Sequence, residues 1–380
     1  YVRGRLFDTW DGPVETAFGA EWRRDDGSFI SDPAYLNFDT LAFRGDSPVV
    51  GAEEVYEFFG EMLFPLAESR PFADYLAVEI GGRVSDYQYA GDSTTWKAGL
   101  DWRPFSGLRL RGMVQRSVRA PNLEEAFREQ GFETFAYANQ PDDDPCSAVR
   151  DPQGAGIADK CIATGLPADQ IGVFNASPQP ADFVFGGNPD LEPEEADTLT
   201  VGFVIAPDAW PNFQLAVDYF DLQLDGGIGP LAAESACFDS ANTGAVFCDR
   251  ISRDPLTFNV IEVLETNINR GELRTTGFDT QVNASFELPS AFAIGDSFAD
   301  LDLNIVWTHV LENSSQETSF GTPLDCAGYF SWPCIGEGLG SSFPADRLMT
   351  NLSYASGDFV ARLTWAWIDS MKNAAPLRSA

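Results

Sequence analysis

The six cysteines are the residues whose type and spacing first suggest chemistry. They form three local pairs in the sequence: Cys146 with Cys161, Cys237 with Cys248, and Cys326 with Cys334. None has Cys-x-x-Cys spacing, and the single histidine, His309, lies far from all of them in the sequence, so a zinc site is disfavoured. Free buried thiols are the alternative. We predict three disulfides that close short loops, which indicates an oxidising compartment such as the periplasm or the cell surface.

Other patterns that could support chemistry are incomplete. The acidic run at 142–144 lacks the spacing and the bidentate glutamate of a calcium loop, and is typical of a solvated loop tip. A nucleophilic cysteine or serine would need a nearby base, and His309 alone does not make a convincing triad. The glycines at 226–229 lack the second half of a phosphate-binding loop. The sequence therefore predicts no enzyme, no cofactor and no bound metal.

The charge balance excludes several partners. Lys and Arg number 24 against 58 Asp and Glu, which gives a net charge of −34. A chain this acidic has no basic face for nucleic acid or for an anionic cytoplasmic leaflet. The sequence has no apolar run long enough for a transmembrane helix, and no signal peptide is visible after Tyr1. Either the protein is cytosolic or its true N-terminus is missing.

The elements that position these residues follow a two-residue period. Residues 96–102, 301–307 and 359–367, for example, alternate apolar and polar side chains, as half-buried or lipid-facing strands do. About twelve such strands are predicted, many of them longer than soluble strands. Their spans are 1–9, 13–25, 53–66, 72–88, 93–103, 107–119, 195–206, 212–225, 271–288, 300–313, 346–355 and 358–370.

The connections alternate in length as well. The long segments are 26–52, 120–194, 226–270 and 314–345, with one short exception at 89–92. Because antiparallel strands alternate in direction, the long segments fall at one end of the sheet and the short turns at the other. This asymmetry is typical of outer-membrane barrels, with long extracellular loops and short periplasmic turns. We predict an all-β, antiparallel transmembrane β-barrel; a soluble antiparallel sandwich is the alternative.

Alternation also assigns side chains to the two faces. Arg109, Arg111, Gln115 and Arg119 are predicted to face the barrel interior, because arginine facing lipid at mid-membrane would cost about 2–4 kcal/mol. Pairing with acidic neighbours is favoured over ligand contact. Arg116 has the apolar parity, so we expect it at the rim or at an irregularity.

Two further features follow from the same alternation. Trp307, Trp365 and Trp367 suit an aromatic girdle at the membrane interface. The apolar positions change parity between Tyr219 and Phe220, which predicts a β-bulge there.

Two motifs carry a resemblance to a known family. Residues 116–127 read Arg-Ser-Val-Arg-Ala-Pro-Asn-Leu-Glu-Glu-Ala-Phe, and residues 187–198 read Gly-Asn-Pro-Asp-Leu-Glu-Pro-Glu-Glu-Ala-Asp-Thr. With the segments 12–22 and 274–279, they make nearly the whole chain resemble the TonB-dependent outer-membrane receptors. The positions that match the two motifs are Arg116, Arg119, Ala120, Pro121, Asn122, Asn188, Pro189, Leu191 and Pro193.

The resemblance implies a function and partners. Such receptors are barrels of about 22 strands filled by a plug, and import scarce large solutes such as siderophores, vitamins or oligosaccharides. It therefore implies a bacterial outer membrane, contact with its lipid, an extracellular ligand, and energy from the TonB system acting through the plug.

The chain departs from this pattern, and other functions stay open. No plug precedes Tyr1, and the terminal aromatic strand is missing after Ala380, so residues 1–380 are expected to be a fragment from the middle of the barrel. The alternatives are a passive porin or adhesin barrel, and a secreted soluble β-rich carbohydrate-binding protein.

Overall fold

The structure is a computed structural model that describes residues 1–9, 11–36, 47–135, 143–294, 298–330 and 343–373. Nineteen strands are found in these residues. In chain order they are β1 Val2–Thr9, β2 Gly12–Phe29, β3 Val49–Arg70, β4 Ala73–Tyr87, β5 Gly91–Phe105, β6 Leu108–Arg119, β7 Gly131–Phe135, β8 Ala181–Phe185, β9 Glu194–Ile205, β10 Phe213–Asp225, β11 Ile228–Pro230, β12 Ile251–Arg253, β13 Val260–Leu264, β14 Asn267–Asn269, β15 Glu272–Leu288, β16 Ala299–Ser315, β17 Leu324–Asp325, β18 Asp346–Ser356 and β19 Phe359–Ile368.

The helices are short and lie outside the long strands. The α-helices are α1 Pro33–Leu36, α2 Leu123–Phe127, α3 Ala158–Ala163 and α4 Ala233–Phe238, and single 3₁₀ turns cover Ala148–Arg150, Ala168–Gln170, Cys248–Arg250 and Ser290–Phe292. Within the described ranges no helix has the length and apolar character needed to cross a bilayer.

One large antiparallel sheet contains all twelve long strands. Its order is β1-β2-β3-β4-β5-β6-β9-β10-β15-β16-β18-β19, and the two-residue β17 pairs beside β16. The sequence prediction of about twelve long antiparallel strands is confirmed, and the structure shows that each pairs with the long strands nearest to it in the sequence. The strands are longer than predicted in places: β2 runs to Phe29 and β3 begins at Val49, so their connection is 30–48 rather than 26–52.

The two faces of this sheet differ in polarity. Directly paired residues share a face, so Val282 lies with Leu215 and Ile305, whereas Asn283 lies with Asn304 on the opposite face. On the apolar face large side chains are exposed, for example Phe58 at 64% and Leu363 at 62%. We call the two surfaces the apolar face and the polar face, and we call the sheet of twelve long strands the wall. In a barrel the apolar face meets lipid and the polar face lines the interior.

The β-bulge predicted at Tyr219 and Phe220 is wrong. Strand β10 pairs without a break with β9 and with β15, so Phe220 lies on the polar face. The parity changes there because Phe220 covers Gly277 on the next strand, where an added Cβ would lie 2.7 Å from the ring. A register shift occurs instead between β15 and β16, where Thr276 pairs with Glu312 and Gly277 with Val310.

The second and third long connections fold together into a compact unit, which we call the loop unit (residues 131–135, 143–193 and 226–271). Its four-stranded sheet has the order β12-β13-β8-β7, and β8 pairs in parallel with β13 from the other connection. Two buried apolar clusters support it, one around Phe183, Leu231 and Val263 and one around Leu166 and Phe174. Phe238 packs against both clusters, so the two connections share a core.

Candidate functional site: the polar wall and the loop unit

The two sequence motifs meet where the long strands end. The Arg119 guanidinium at the end of β6 donates from Nε to Glu194 at the start of β9, at 2.6 Å, and from Nη1 to Glu125 of α2, at 2.8 Å. The second oxygen of Glu194 accepts from the backbone N–H of Ile228 at 2.6 Å. Glu194 is 8% exposed. The junction therefore ties two strands, a helix and the start of the loop unit to one buried carboxylate.

Helix α2 begins with a reciprocal cap. Asn122 Oδ1 accepts from the Glu125 backbone N–H, and the Asn122 backbone N–H donates to the Glu125 carboxylate, both at 2.8 Å. This Asn-x-x-Glu pattern is a helix-start signal visible in the sequence. The Phe127 ring lies over Gly51 of β3, where a Cβ would overlap it, and packs edge-on against Tyr89 at 5.0 Å. The helix is thus held over the sheet end.

The remaining motif residues shape the backbone. Asn188 donates from Nδ2 to the Asn267 carbonyl at 3.1 Å, and Leu191 is buried at 2% exposure. Both anchor the second motif against the loop unit. Ala120 and Pro121 join β6 to α2, Pro193 directly precedes β9, and Pro189 is exposed. These motif residues organise the strand ends. Their positions indicate no chemical role.

We expect Arg119→Ala to loosen this junction. Glu194 would keep only its bond to Ile228, and the lost stability is about 1–2 kcal/mol, moderated because the Arg119 side chain is 46% exposed. Hydrogen exchange of the peptides that contain α2 and β11 should accelerate about tenfold. The control is Arg24→Ala, since its pair with Glu54 is 52% and 29% exposed and should matter little. Equal exchange in both variants would contradict this role of Arg119.

The predicted interior residues lie on the polar face in charged pairs. Arg109 forms a two-bond pair with Asp101 on β5, at 3.0 and 2.8 Å. Arg111 reaches across β9 to Asp218 on β10, at 2.7 and 2.5 Å. Gln115 pairs with Lys97 on the same face. Each of these arginines is matched by an acidic partner on the wall itself.

A buried glutamate on the same face was missed by the sequence reasoning. Glu57 of β3 is 3% exposed; it accepts from Arg83 Nη1 at 3.0 Å and from Ser85 Oγ at 2.6 Å. The Arg83 guanidinium also lies over the Phe59 ring, 4.9 Å from its centre. In the sequence Glu57 is one of 58 acidic residues, and its partners lie on the next strand, so no local signal marks it.

Arg116 lies on the apolar face, at the end of the sheet that carries the loop unit. It pairs with Asp197 at 2.8 and 2.7 Å and with Glu195 at 3.0 Å. Arg274 forms a matching pair with Asp221 on β10, at 3.1 and 2.9 Å. These ion pairs lie on the apolar face near the ends of β6, β9, β10 and β15 that carry the loop unit.

Three tryptophans lie on the apolar face of β16 and β19. Trp307 and Trp367 both pair with Leu348 on the apolar face, and they are 37% and 40% exposed. Trp365 lies two residues below on the same strand and is 53% exposed. The Trp307 Nε1–H donates to Asp346 at 2.8 Å, and the same carboxylate oxygen lies 2.8 Å from His309 Nδ1. A polar edge on an aromatic ring suits a membrane interface.

Two of the three predicted disulfides are present in the loop unit. Cys146 is bonded to Cys161 and Cys237 to Cys248, and all four residues are 0% exposed. Each bond lies within one of the two apolar clusters. The third predicted pair includes Cys334, which lies outside the described residues, so that pairing stays a prediction.

A buried ion pair joins the two halves of the loop unit. Arg253 of β12 donates from Nη1 and Nη2 to the Asp144 carboxylate at 2.7 and 2.9 Å, and both side chains are 1% exposed. Its Nε donates to Thr164 Oγ1 at 2.8 Å, and its guanidinium lies 5.6 Å from the centre of the Phe174 ring. A single cation therefore connects segments 109 residues apart in the sequence.

A half-buried glutamate lies beside this pair. Glu234 is in the first turn of α4. Burial is the largest cause that raises the pKa of Glu234, the negative charges of Asp144 and Asp143 add to it, Arg253 opposes them, and the resulting pKa is about 7. The charged form of Glu234 is thus disfavoured in the folded state.

The stability of the loop unit should depend on pH through Glu234. Because its folded pKa of about 7 exceeds the unfolded value of 4.5, the contribution of Glu234 to stability is fully present below pH 4.5 and is lost as the pH rises to about 7. We expect Glu234→Gln to match the wild type in hydrogen-exchange protection near pH 4.5 and to exceed it at pH 8. Glu262→Gln, at an exposed position, is the control. A Glu234→Gln protein with the wild-type pH dependence would contradict this assignment.

The described side chains contain no arrangement for metal binding: no group of three or more His, Cys, Asp or Glu residues within them could hold an ion. The polar face carries internally paired charges, and the loop unit has a disulfide-bonded core.

Comparison with known proteins gives the family. The model of the TonB dependent receptor-like β-barrel matches residues 2–376, and the chain belongs to this family. The family consists of receptors and transporters rather than enzymes, and its members are outer-membrane β-barrels. No curated protein matches the chain.

Solved structures agree in fold. The siderophore receptor PirA from Acinetobacter baumannii is 14% identical, with a TM-score of 0.52 over 95% of this chain and 40% of its own. A mutant ferric enterobactin receptor, PfeA from Pseudomonas aeruginosa in complex with enterobactin, is 15% identical, with a TM-score of 0.56 over 96% and 40%. PirA from Pseudomonas aeruginosa is 14% identical, with a TM-score of 0.51 over 97% and 46%. The chain thus spans less than half the length of these structures.

Proposed function

We propose that the chain forms the wall and the extracellular loops of a TonB-dependent outer-membrane transporter for a scarce large solute of the siderophore, vitamin or oligosaccharide class. The observation that carries the proposal is the combination of a polar-walled strand sheet with a folded, disulfide-bonded unit at one of its ends. Isolated loops that merely connect strands need no shared core, whereas a preorganised surface for capturing a bulky solute does.

The proposal assigns a position to each part. The loop unit lies outside the cell, where disulfides are stable, and the apolar face meets the outer-membrane lipid. Energy comes from the TonB system through a plug within the barrel. The siderophore class is the first to test, because the structural neighbours include receptors described as siderophore and ferric enterobactin receptors.

The test is uptake of radiolabelled ferric enterobactin by a Gram-negative host that lacks its own ferric siderophore receptors. The receptor is expressed in otherwise identical strains with and without TonB. Uptake that requires both the receptor and TonB supports the proposal. Uptake without TonB would indicate a passive porin. Binding without uptake in either strain would indicate an adhesin-type barrel, and absence of binding directs the test to cobalamin and to oligosaccharides.

A further inference from the structure

Several glycines on the polar face are covered by a large neighbouring side chain. Five of them lie directly opposite the residue that covers them, in the pairs Gly19 with Phe59, Gly81 with Lys97, Gly99 with Met113, Gly202 with Asp218, and Gly277 with Phe220. At every one of these positions an added Cβ would lie within 3.0 Å of that side chain, closer than ordinary packing allows. The covering side chains therefore lie across the neighbouring strand.

The apolar face of the same strands has a different arrangement. An added Cβ would meet nothing within 4 Å at Gly4, a backbone oxygen at 3.7 Å at Gly82, and at Gly112 only contacts of 3.7 Å or more. Gly60, covered by Phe18, is the exception. Side chains in strands normally stand roughly perpendicular to the sheet. The covered glycines are thus concentrated on the face that lines the interior.

Two of these glycines also allow ion pairs to cross a whole strand. Lys97 on β5 passes over Gly81 on β4 and lies 3.4 Å from Glu61 on β3, while also contacting Glu79 at 2.5 Å. Arg111 reaches Asp218 over Gly202 in the same manner. Because these charges lie along the wall and neutralise one another, they do not project into the interior.

We propose that Gly81 and Gly99 are positioning residues for solute passage, because they let Lys97 and Met113 lie flat and so keep the barrel interior wide enough for a bulky solute. The inference rests on the proposed transport function and extends it: it assigns the width of the passage to named wall residues. An added Cβ would lie 2.9 Å from Lys97 Cε at Gly81 and 3.0 Å from Met113 Cε at Gly99, so we expect Gly81→Val to turn Lys97 away from Glu61 toward the interior and Gly99→Val to displace Met113 in the same direction.

The chain offers closely matched controls. Gly82 is the next residue on the same strand and faces lipid, where valine has room. Gly112→Val is the corresponding control for Gly99→Val. An added Cβ at either glycine lies 3.7 Å from a backbone oxygen, but at Gly112 no side chain is closer than 3.9 Å. Valine is favourable in strands, so all four variants test the direction of the side chain rather than strand propensity.

The first measurement is independent of transport. In the detergent-solubilised receptor, a water-soluble amine reagent followed by mass spectrometry gives the modification rate of Lys97. We expect a severalfold increase in Gly81→Val and no change in Gly82→Val. Equal rates in the two variants would overturn the proposal, whatever the receptor transports.

The second measurement is ferric enterobactin uptake at equal receptor abundance and equal surface binding. Uptake should fall about tenfold in Gly81→Val and in Gly99→Val, and remain at the wild-type level in Gly82→Val and Gly112→Val. Unchanged uptake in both interior variants would overturn the role in passage. If the wild type itself takes up nothing, the proposed siderophore function fails, and the Lys97 rates still decide whether the glycines hold the wall flat.

Discussion

Arg253→Ala should release both halves of the loop unit at once. The substitution leaves the Asp144 carboxylate buried at 1% exposure without its cation, and removing one partner of a buried pair costs about 3–5 kcal/mol. Hydrogen exchange in β8 and β13 should therefore accelerate about a hundredfold or more, although these strands belong to different connections. The measurement is exchange by mass spectrometry on the detergent-solubilised receptor.

Two further variants identify the cause. Replacing both partners, as in Arg253→Met with Asp144→Leu, removes the uncompensated charge and should restore most of the protection. Arg150→Ala changes an exposed arginine of the same unit and should leave exchange unaltered. If Arg253→Ala disturbed only the connection that contains it, the two connections would be independent and the shared loop unit would be refuted.

Loss of the Cys146–Cys161 disulfide should have an effect of similar size. The bond closes a segment with a sequence separation of 15, for which the chain-entropy argument gives about 3 kcal/mol. We expect Cys146→Ala with Cys161→Ala to lower protection most strongly in α3 and around Phe174, which share a cluster with the two cysteines. Alanine is chosen because serine would add hydroxyls to a site that is 0% exposed.

The second disulfide provides the comparison. Cys237 and Cys248 are separated by 11 residues and belong to the other cluster, so their double alanine variant should act mainly on α4 and β13. Because Phe238 packs against both clusters, each variant should also have a weaker effect on the other. A disulfide variant with unchanged exchange throughout the unit would show that the apolar packing alone determines its stability.

The long strands were predictable because their signal is local and repeated. Most of the long strands carry alternation over ten or more residues, and one face must be apolar, so the number and the faces of the strands followed from residues such as those of β15 and β16. The change of parity at Phe220 led to the wrong prediction of a β-bulge, because its cause is a glycine on another strand. The register shift between β15 and β16, next to Leu311, gave no sequence signal because the apolar residues Val310 and Leu311 simply follow one another.

The loop unit could not be predicted for the opposite reason. Strands β11, β12 and β14 have three residues each, too few to display a period. The parallel pairing of β8 with β13 and the ion pair of Arg253 with Asp144 join segments far apart in the sequence. Two features of these connections did have local sequence signals. The cysteine spacing was used to predict the disulfides, whereas the Asn122–Glu125 cap was not used to predict a helix.

The ion pairs at the loop-unit end of the apolar face limit how far the wall can move inward across a bilayer. Arg116 with Asp197 and Arg274 with Asp221 lie on the apolar face near the strand ends that carry the loop unit. An inward displacement of two residues, about 7 Å along a strand, would carry these charges into hydrocarbon, where each arginine costs up to about 2–4 kcal/mol. In a bilayer, this free-energy cost opposes an inward displacement of the wall.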